Sequence, residues 1–315
     1  MDHALDAVLR QRPGPDALDW VLRHQPPGTR VASLRRLRGG TASATHAINL
    51  RNPDGELIRT VLRRYVRSDW LQREPDLAAR EASTLKLLAT SEVAAPRLLA
   101  VDPSGAHCDA PAVLMSRLPG GIDVAPTDLG PYVDQMAAVL PAVHRTKVDR
   151  RFKKTRPYFS YVALDTLQVP AWSDQPDAWA AIIAAARHDP SPVQATFIHR
   201  DYHPGNVVWA RGKLTGIVDW VNASFGPPGI DIGHGRVNLA VLFGLDAANG
   251  FLDACLRLLG DQPHQLFWDC RAALEFAPTP PDLAQWHDTG RSDLTLPIAV
   301  LRLDAYVHSL AIRLR

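Results

Sequence analysis

Between Phe197 and Trp209 the chain reads FIHRDYHPGNVVW, a run of ionisable and amide side chains between apolar flanks. His199, Asp201 and His203 alternate, so on an extended backbone they project to one face. Two imidazoles and a carboxylate suit zinc or iron, and a metal-dependent hydrolase built on these three residues is one reading. A catalytic metal also needs ligands from elsewhere in the chain. His234, His264 and His287 stand singly, and Pro204-Gly205 ends any strand at once.

A second chemistry uses the same run differently. HRDYHPGN fits H-R-D-x-x-x-x-N, a phosphoryl-transfer loop. In that chemistry the aspartate, here Asp201, contacts the attacking hydroxyl. The asparagine five positions later, here Asn206, turns back to a metal ion. A second aspartate leaving an apolar strand holds metal at the phosphates, and LTGIVDW supplies Asp219. Amide and carboxylate oxygens suit Mg²⁺, a hard cation that keeps several waters. Asp219 is followed by Trp220-Val221, and Asp231 comes twelve residues later. That leaves no room for a phosphorylatable activation segment, so a small molecule is the expected acceptor.

These residues must be positioned by elements that the pattern also predicts. Residues up to about Pro27 read as helix with a Pro/Gly interruption. From Val31 the chain reads strand, glycine-containing turn, strand; NPDG at Asn52–Gly55 is a turn, and ELIRTVLRRYV a further strand. Leu77, Ala78, Ala82, Leu85 and Leu88 give one apolar helix stripe. Two more strands follow, the second ending at Gly120-Gly121. After them helices dominate, with KLTGIVDW as a short strand. The expected fold is α+β: a small N-terminal lobe over 1–118 (1–30 a helical extension) with an antiparallel sheet and one main helix, then a larger, mainly helical lobe over 119–315. The seam near Leu118–Gly121 is where a ligand cleft is expected.

Bulk properties exclude several classes. With 46% hydrophobic residues among 315, the chain can bury a large core. A formal net charge of +2 offers no basic field for nucleic acid. Three widely spaced cysteines make neither a disulfide framework nor a CxxC metal site. The N-terminus lacks the pattern of a signal peptide, and no apolar stretch is long enough to cross a membrane. A soluble, cytoplasmic protein is expected, with no nucleic-acid or membrane partner.

Taken together, FIHRDYHPGNVVW, GKLTGIVDW and GPPGIDIGHGR closely resemble the aminoglycoside phosphotransferase and choline kinase-like superfamily of small-molecule kinases, whose fold is protein-kinase-like. The resemblance runs from about Val31 onwards and is most specific over Phe197–Asp231. It implies Asp201 as catalytic base or hydroxyl-orienting residue, and Asn206 and Asp219 as Mg²⁺ ligands. LRGGTASATH resembles the phosphate-covering turn, with Gly39 and Gly40 admitting phosphate to backbone N–H groups and Thr41 and Ser43 adding hydroxyls. TVLRR resembles the strand with the phosphate-gripping lysine, here Arg63 (Arg64 the fallback), with Glu81 as its helix partner. Adenine contacts fall at the Ser116 carbonyl and Leu118 N–H. Asp231 supports the catalytic loop, and His144 packs behind it. ATP is the implied co-substrate, with GTP possible. The acceptor is a hydroxyl on a sugar, amino alcohol, aminoglycoside-like compound or other metabolite. A non-catalytic nucleotide-binding module is the competing reading, favoured only by the arginine at position 63.

Overall fold

The computed structural model describes residues 3–40, 43–188, 190–259 and 264–315, with the backbone alone described at 3–6 and 259. Two short helices come first, α1 (His3–Arg10) and α2 (Pro15–Arg23). Then follow β1 (Arg30–Arg36), β2 (Ala44–Arg51), β3 (Leu57–Arg64), α3 (Ser68–Arg73), α4 (Leu77–Leu88), β4 (Leu98–Asp102) and β5 (Ala112–Ser116). The five strands form one antiparallel sheet in the order β1-β2-β3-β5-β4. The NPDG turn closes as expected: Glu56 N–H donates to Asn52 Oδ1 at 2.7 Å, and Gly55 takes φ +84°. The edge strand β1 has arginine at three of its seven positions and is largely exposed, which blunts a free sheet edge. Ala17, Trp20 and Val21 of α2 cover Ile48, Leu50, Leu62 and Leu114 of the sheet. Burying such side chains contributes about 2 kcal/mol each.

Helix α4 buries Leu77, Ala78, Ala82, Leu85 and Leu88, the stripe its 3.6-residue period predicts. Glu81 lies on that same stripe and is 1% exposed. A carboxylate there demands a partner.

The remaining elements are β6 (Gly121–Ile122), α5 (Leu129–Arg145), α6 (Arg150–Thr155), α7 (Pro176–Ala186), β7 (Thr196–Ile198), β8 (Val207–Ala210), β9 (Lys213–Ile217), β10 (Ser224–Gly226), α8 (Gly229–Phe243), α9 (Leu245–Leu259), α10 (Leu266–Ala273), α11 (Ala284–Asp288) and α12 (Leu296–Arg313). Trp179 and Ile182 of α7, Val237 and Val241 of α8, and Leu303, Tyr306 and Leu310 of α12 share one core. α8 is buried nearly all round and is the central helix. Fully buried Arg236 on it pairs with equally buried Asp269.

Contacts divide the chain into two compact units. The first is Met1–Thr90 with Ala94–Gly120 and Gly216–Asn222; the second is Ser91–Val93 with Gly121–Thr215 and Ala223–Arg315. Thus the segment carrying Asp219, which sequence order alone puts with the second lobe, packs in the first unit. Gly216 allows this: a Cβ there would stand 2.5 Å from the Ala94 carbonyl oxygen, and the Ile217 N–H donates to that same oxygen at 2.8 Å. Among the described residues no helix is long and apolar enough to cross a membrane. Cys108, Cys255 and Cys270 are buried free thiols.

Candidate active site

In the first unit, β3 delivers Arg63 into a fully hydrogen-bonded pocket. Its Nε donates to Ser43 Oγ (2.7 Å), Nη1 to Glu81 Oε1 (2.8 Å), and Nη1 and Nη2 to the two oxygens of Asp219 (2.7 and 2.9 Å). Tyr65, two residues along and on the same side of the chain, donates its hydroxyl to Glu81 Oε2 at 2.8 Å. Burial disfavours the Arg63 charge, but Asp219 and Glu81 outweigh it and hold the guanidinium protonated. Burial pushes the Glu81 carboxyl upward against the pull of Arg63. Asp219 sits at φ +66°, a left-handed conformation that costs a non-glycine residue energy and that the surrounding contacts maintain.

In the second unit, the loop after β7 is held by Asp231 from the first turn of α8. This fully buried carboxylate accepts the backbone N–H of His199 (3.0 Å) and of Arg200 (2.7 Å). His144 Nε2 of α5 hydrogen-bonds it at 3.0 Å. Arg200 takes φ +72°, which turns the chain so that Asp201 follows with 32% of its side chain exposed. The Arg200 guanidinium is engaged by Phe159 O (2.7 Å) and the Tyr161 hydroxyl (2.5 Å) and lies 3.6 Å from the Tyr161 ring. Its role is therefore to tie the loop to residues 159–161.

Asp201 Oδ1 faces His234 Nε2 at 3.1 Å and His203 Nε2 at 3.6 Å. Partial burial opposes ionisation of Asp201, but the imidazoles of His203, His234 and His199 hold its carboxyl well below the usual carboxylate range. His234 Nδ1 reaches Glu275 Oε2 at 3.4 Å. Burial opposes its charge, yet the hydrogen bonds to Asp201 and Glu275 raise its pKa to about 10. Asn206 donates its amide to the Asp201 main-chain oxygen at 2.9 Å. That bond leaves the amide oxygen, a hard donor, for a cation.

The expected site residues fall into two sets, one in each unit. Arg63, rather than Arg64, is the β3 base beside Glu81; Arg64 instead binds Asp109 (2.5 Å) and Gln11 O (2.6 Å). Ser43 is 3% exposed and accepts from Arg63. Gly39 takes φ +88°, a conformation glycine adopts freely. At Gly40 a Cβ would stand 3.2 Å from Ser43 O. Thr41 lies outside the described residues. Ser116 ends β5 opposite Thr60, and Leu118 packs its side chain against Gly216.

Three residues escaped the sequence reading. Tyr65 left no signal beyond lying two residues past Arg63. His234, read as a scattered histidine, is instead a direct partner of Asp201; it lies one helical turn after Asp231 and so on the same face. Glu275 is brought in by tertiary packing alone. The metal reading also changes membership. Among the described residues, the donor atoms within 4.8 Å of one another belong to Asp201, His203 and His234, not to His199, which is fully buried. An imidazolium at His234 has no lone pair to offer while it holds two carboxylates.

No curated protein matches the chain significantly. Among solved structures, the aminoglycoside phosphotransferase APH(4)-Ia, as a thermostable mutant in ternary complex with ADP and hygromycin B, is 17% identical over 89% of this chain and 94% of its own, with TM-score 0.56. The macrolide 2′-phosphotransferase MphH from Brachybacterium faecium is 19% identical over 91% and 97%, with TM-score 0.54. The spectinomycin phosphotransferase APH(9)-Ia, in complex with ADP and spectinomycin, is 12% identical over 90% and 93%, with TM-score 0.54. They share this chain's kinase-like fold, an N-terminal antiparallel sheet with helices followed by a helical region. The profile of the phosphotransferase enzyme family matches residues 33–265, well over half of the chain. The chain belongs to the phosphotransferase enzyme family, whose members transfer phosphate to hydroxyl groups of small molecules.

Proposed function

We propose that this protein is an ATP-dependent small-molecule kinase in which Asp201 orients the acceptor hydroxyl for in-line attack on the γ-phosphate. The observation that carries the reading is the Asp201 carboxylate itself. It is partly exposed, is held below the usual carboxylate range by the neighbouring imidazoles, and sits on a loop whose backbone is pinned by buried Asp231. An aspartate held so far below its usual range is a weak base, so its contribution is alignment and charge rather than early proton removal.

The first unit supplies the nucleotide-side groups: Gly39 and Gly40, Arg63 and Asp219. Asn206 in the second unit keeps its amide oxygen and Asp219 in the first carries carboxylate oxygens, each a hard donor of the kind that would suit Mg²⁺. Both Asp219 oxygens are engaged by Arg63. Asp219 would hold a cation only in exchange for the Arg63 guanidinium, which Glu81 and Ser43 would keep in place by its other edge. When bound, Mg²⁺ neutralises charge on the transferring phosphates. Arginine in place of lysine keeps that exchange possible, since its planar fork can hold carboxylate or phosphate bidentately.

The test is Asp201→Ala, assayed for ADP release with Mg-ATP and a panel of alcohols. Transfer should fall by at least about 10³-fold while nucleotide affinity stays within about threefold. Undiminished turnover would remove Asp201 from the chemistry, and a wild-type protein that binds ATP without turnover on any acceptor would favour the non-catalytic reading. Elemental analysis covers the hydrolase reading, which a tightly held transition metal at Asp201, His203 and His234 would restore.

A further inference from the structure

The sheet of the first unit carries Arg63 on one face, and further arginines lie on that same face. Side chains alternate along a strand, so Arg59 and Arg63 of β3 point to one side. Across the ladder, Ala47 and Asn49 of β2 stand opposite Val61 and Arg59, and Arg35 and Ser33 of β1 stand opposite Ala47 and Asn49. On the other flank Ser116 pairs with Thr60, and one step on the Arg117 N–H donates to the Arg59 carbonyl at 3.0 Å. Arg117 is therefore directly opposite Arg59 and shares its face. Arg59 lies about 13 Å along the strand from Arg63, at roughly 3.3 Å per residue. Arg35, Arg59 and Arg117 thus form a cluster apart from the Arg63 network. Like charges directly opposite on a sheet repel, and no acid offsets them here. The two carboxylates that meet this face, Glu81 and Asp219, are both taken by Arg63. Arg51, also on this face, is tied to the Gly55 carbonyl at 2.7 Å. Among the described residues, the guanidiniums of Arg35, Arg59 and Arg117 have no hydrogen-bonding or ion-pair partner. Arg35 and Arg59 are exposed and Arg117 is half-buried. Partial burial, and after it the charges of Arg35 and Arg59, push the Arg117 guanidinium below the ordinary arginine value.

We propose that Arg35, Arg59 and Arg117 form an anion site for a phosphate or pyrophosphate group, either free in solution or carried on a nucleotide. The site is separate from the Arg63 pocket and does not depend on the role of Asp201. Three guanidiniums without an acid match a multiply charged anion, which a phosphoryl group supplies and a monocarboxylate does not. The planar fork of each arginine pairs bidentately with phosphate oxygens. An anion between Arg59 and Arg117 also turns their mutual repulsion into a shared attraction. That gives a physical reason for two arginines to stand opposite each other where one acid would have relieved the strain.

The full chain is titrated calorimetrically with sodium pyrophosphate and, separately, with adenosine 3′,5′-bisphosphate and AMP, all at one ionic strength. Pyrophosphate binding that Arg117→Gln weakens about tenfold, and that the double variant Arg35→Gln with Arg59→Gln abolishes, identifies the free anion as the ligand. A preference of about tenfold for the bisphosphate over AMP that the same variants remove identifies a phosphate carried on a nucleotide. Melting gives a second readout of opposite sign. Without anion, Arg117→Gln should melt higher than wild type, because it relieves the repulsion by Arg59. With pyrophosphate, the wild type should gain more than the variant and close that gap. Pyrophosphate affinity and bisphosphate preference that both survive in the variants would put the anion at another site, such as Arg63, and overturn the proposal. Absence of both effects in the wild type would overturn it equally.

Discussion

Arg63 is the residue on which the first unit's polar network converges, and its removal separates charge from shape. Arg63→Met leaves Glu81 buried without a cation, and breaking such a pair costs about 3–5 kcal/mol. Urea unfolding should register that loss. Arg63→Lys keeps a cation but cannot span Ser43, Glu81 and Asp219 with one planar fork. It should stay folded, melt a few degrees lower, and bind ATP with altered affinity. His234 makes a prediction in pH. Its folded pKa of about 10 lies above its ordinary value, so the folded state holds a proton that the unfolded state has released across that interval. Its contribution to stability is complete below about pH 6.5 and is lost as pH rises through 10. The stability difference between wild type and His234→Gln should shrink over that window, and unfolding curves at stepped pH will test it.

At the scale of elements, α8 does two jobs: its middle fills the core, while its first turn holds the loop that carries Asp201. Asp231→Ala would strand the buried N–H groups of His199 and Arg200, at about 3 kcal/mol for the pair. The loop would lose the φ +72° turn at Arg200 that sets Asp201 out. We expect kcat to fall by well over tenfold with the KM for ATP little changed, which steady-state kinetics can separate. The passage of β9 past Ala94 is as tight. Gly216→Ala forces a methyl against a backbone oxygen, and overpacking of that kind costs about 2 kcal/mol. Asp219 follows three residues later, so nucleotide binding should weaken along with stability.

At the scale of the whole molecule, nucleotide binding must appear as stability. Mg-ATP at about 100 times its dissociation constant should add roughly 2.7 kcal/mol, a rise of a few degrees in Tm. Because Arg63 occupies both oxygens of Asp219, ATP without Mg²⁺ should stabilise far less, and Asp219→Ala should erase the difference. The α+β architecture, the NPDG turn, the α4 stripe and the Asp201–Asn206 spacing were all legible in the sequence. They are local: covalent geometry and helix or strand periodicity fix them within a few residues. Glu81 was half legible, since a carboxylate on an apolar stripe announces a buried partner without naming it. The partner is 18 positions away, and Asp219 is 156 positions from Arg63. His234 was legible only through Asp231, and Glu275 not at all. The sequence by itself therefore determined the fold class, the family and the loop that carries Asp201. Tertiary structure alone decided which cation meets which carboxylate, because burial, not spacing along the chain, chooses the partners of a desolvated charge.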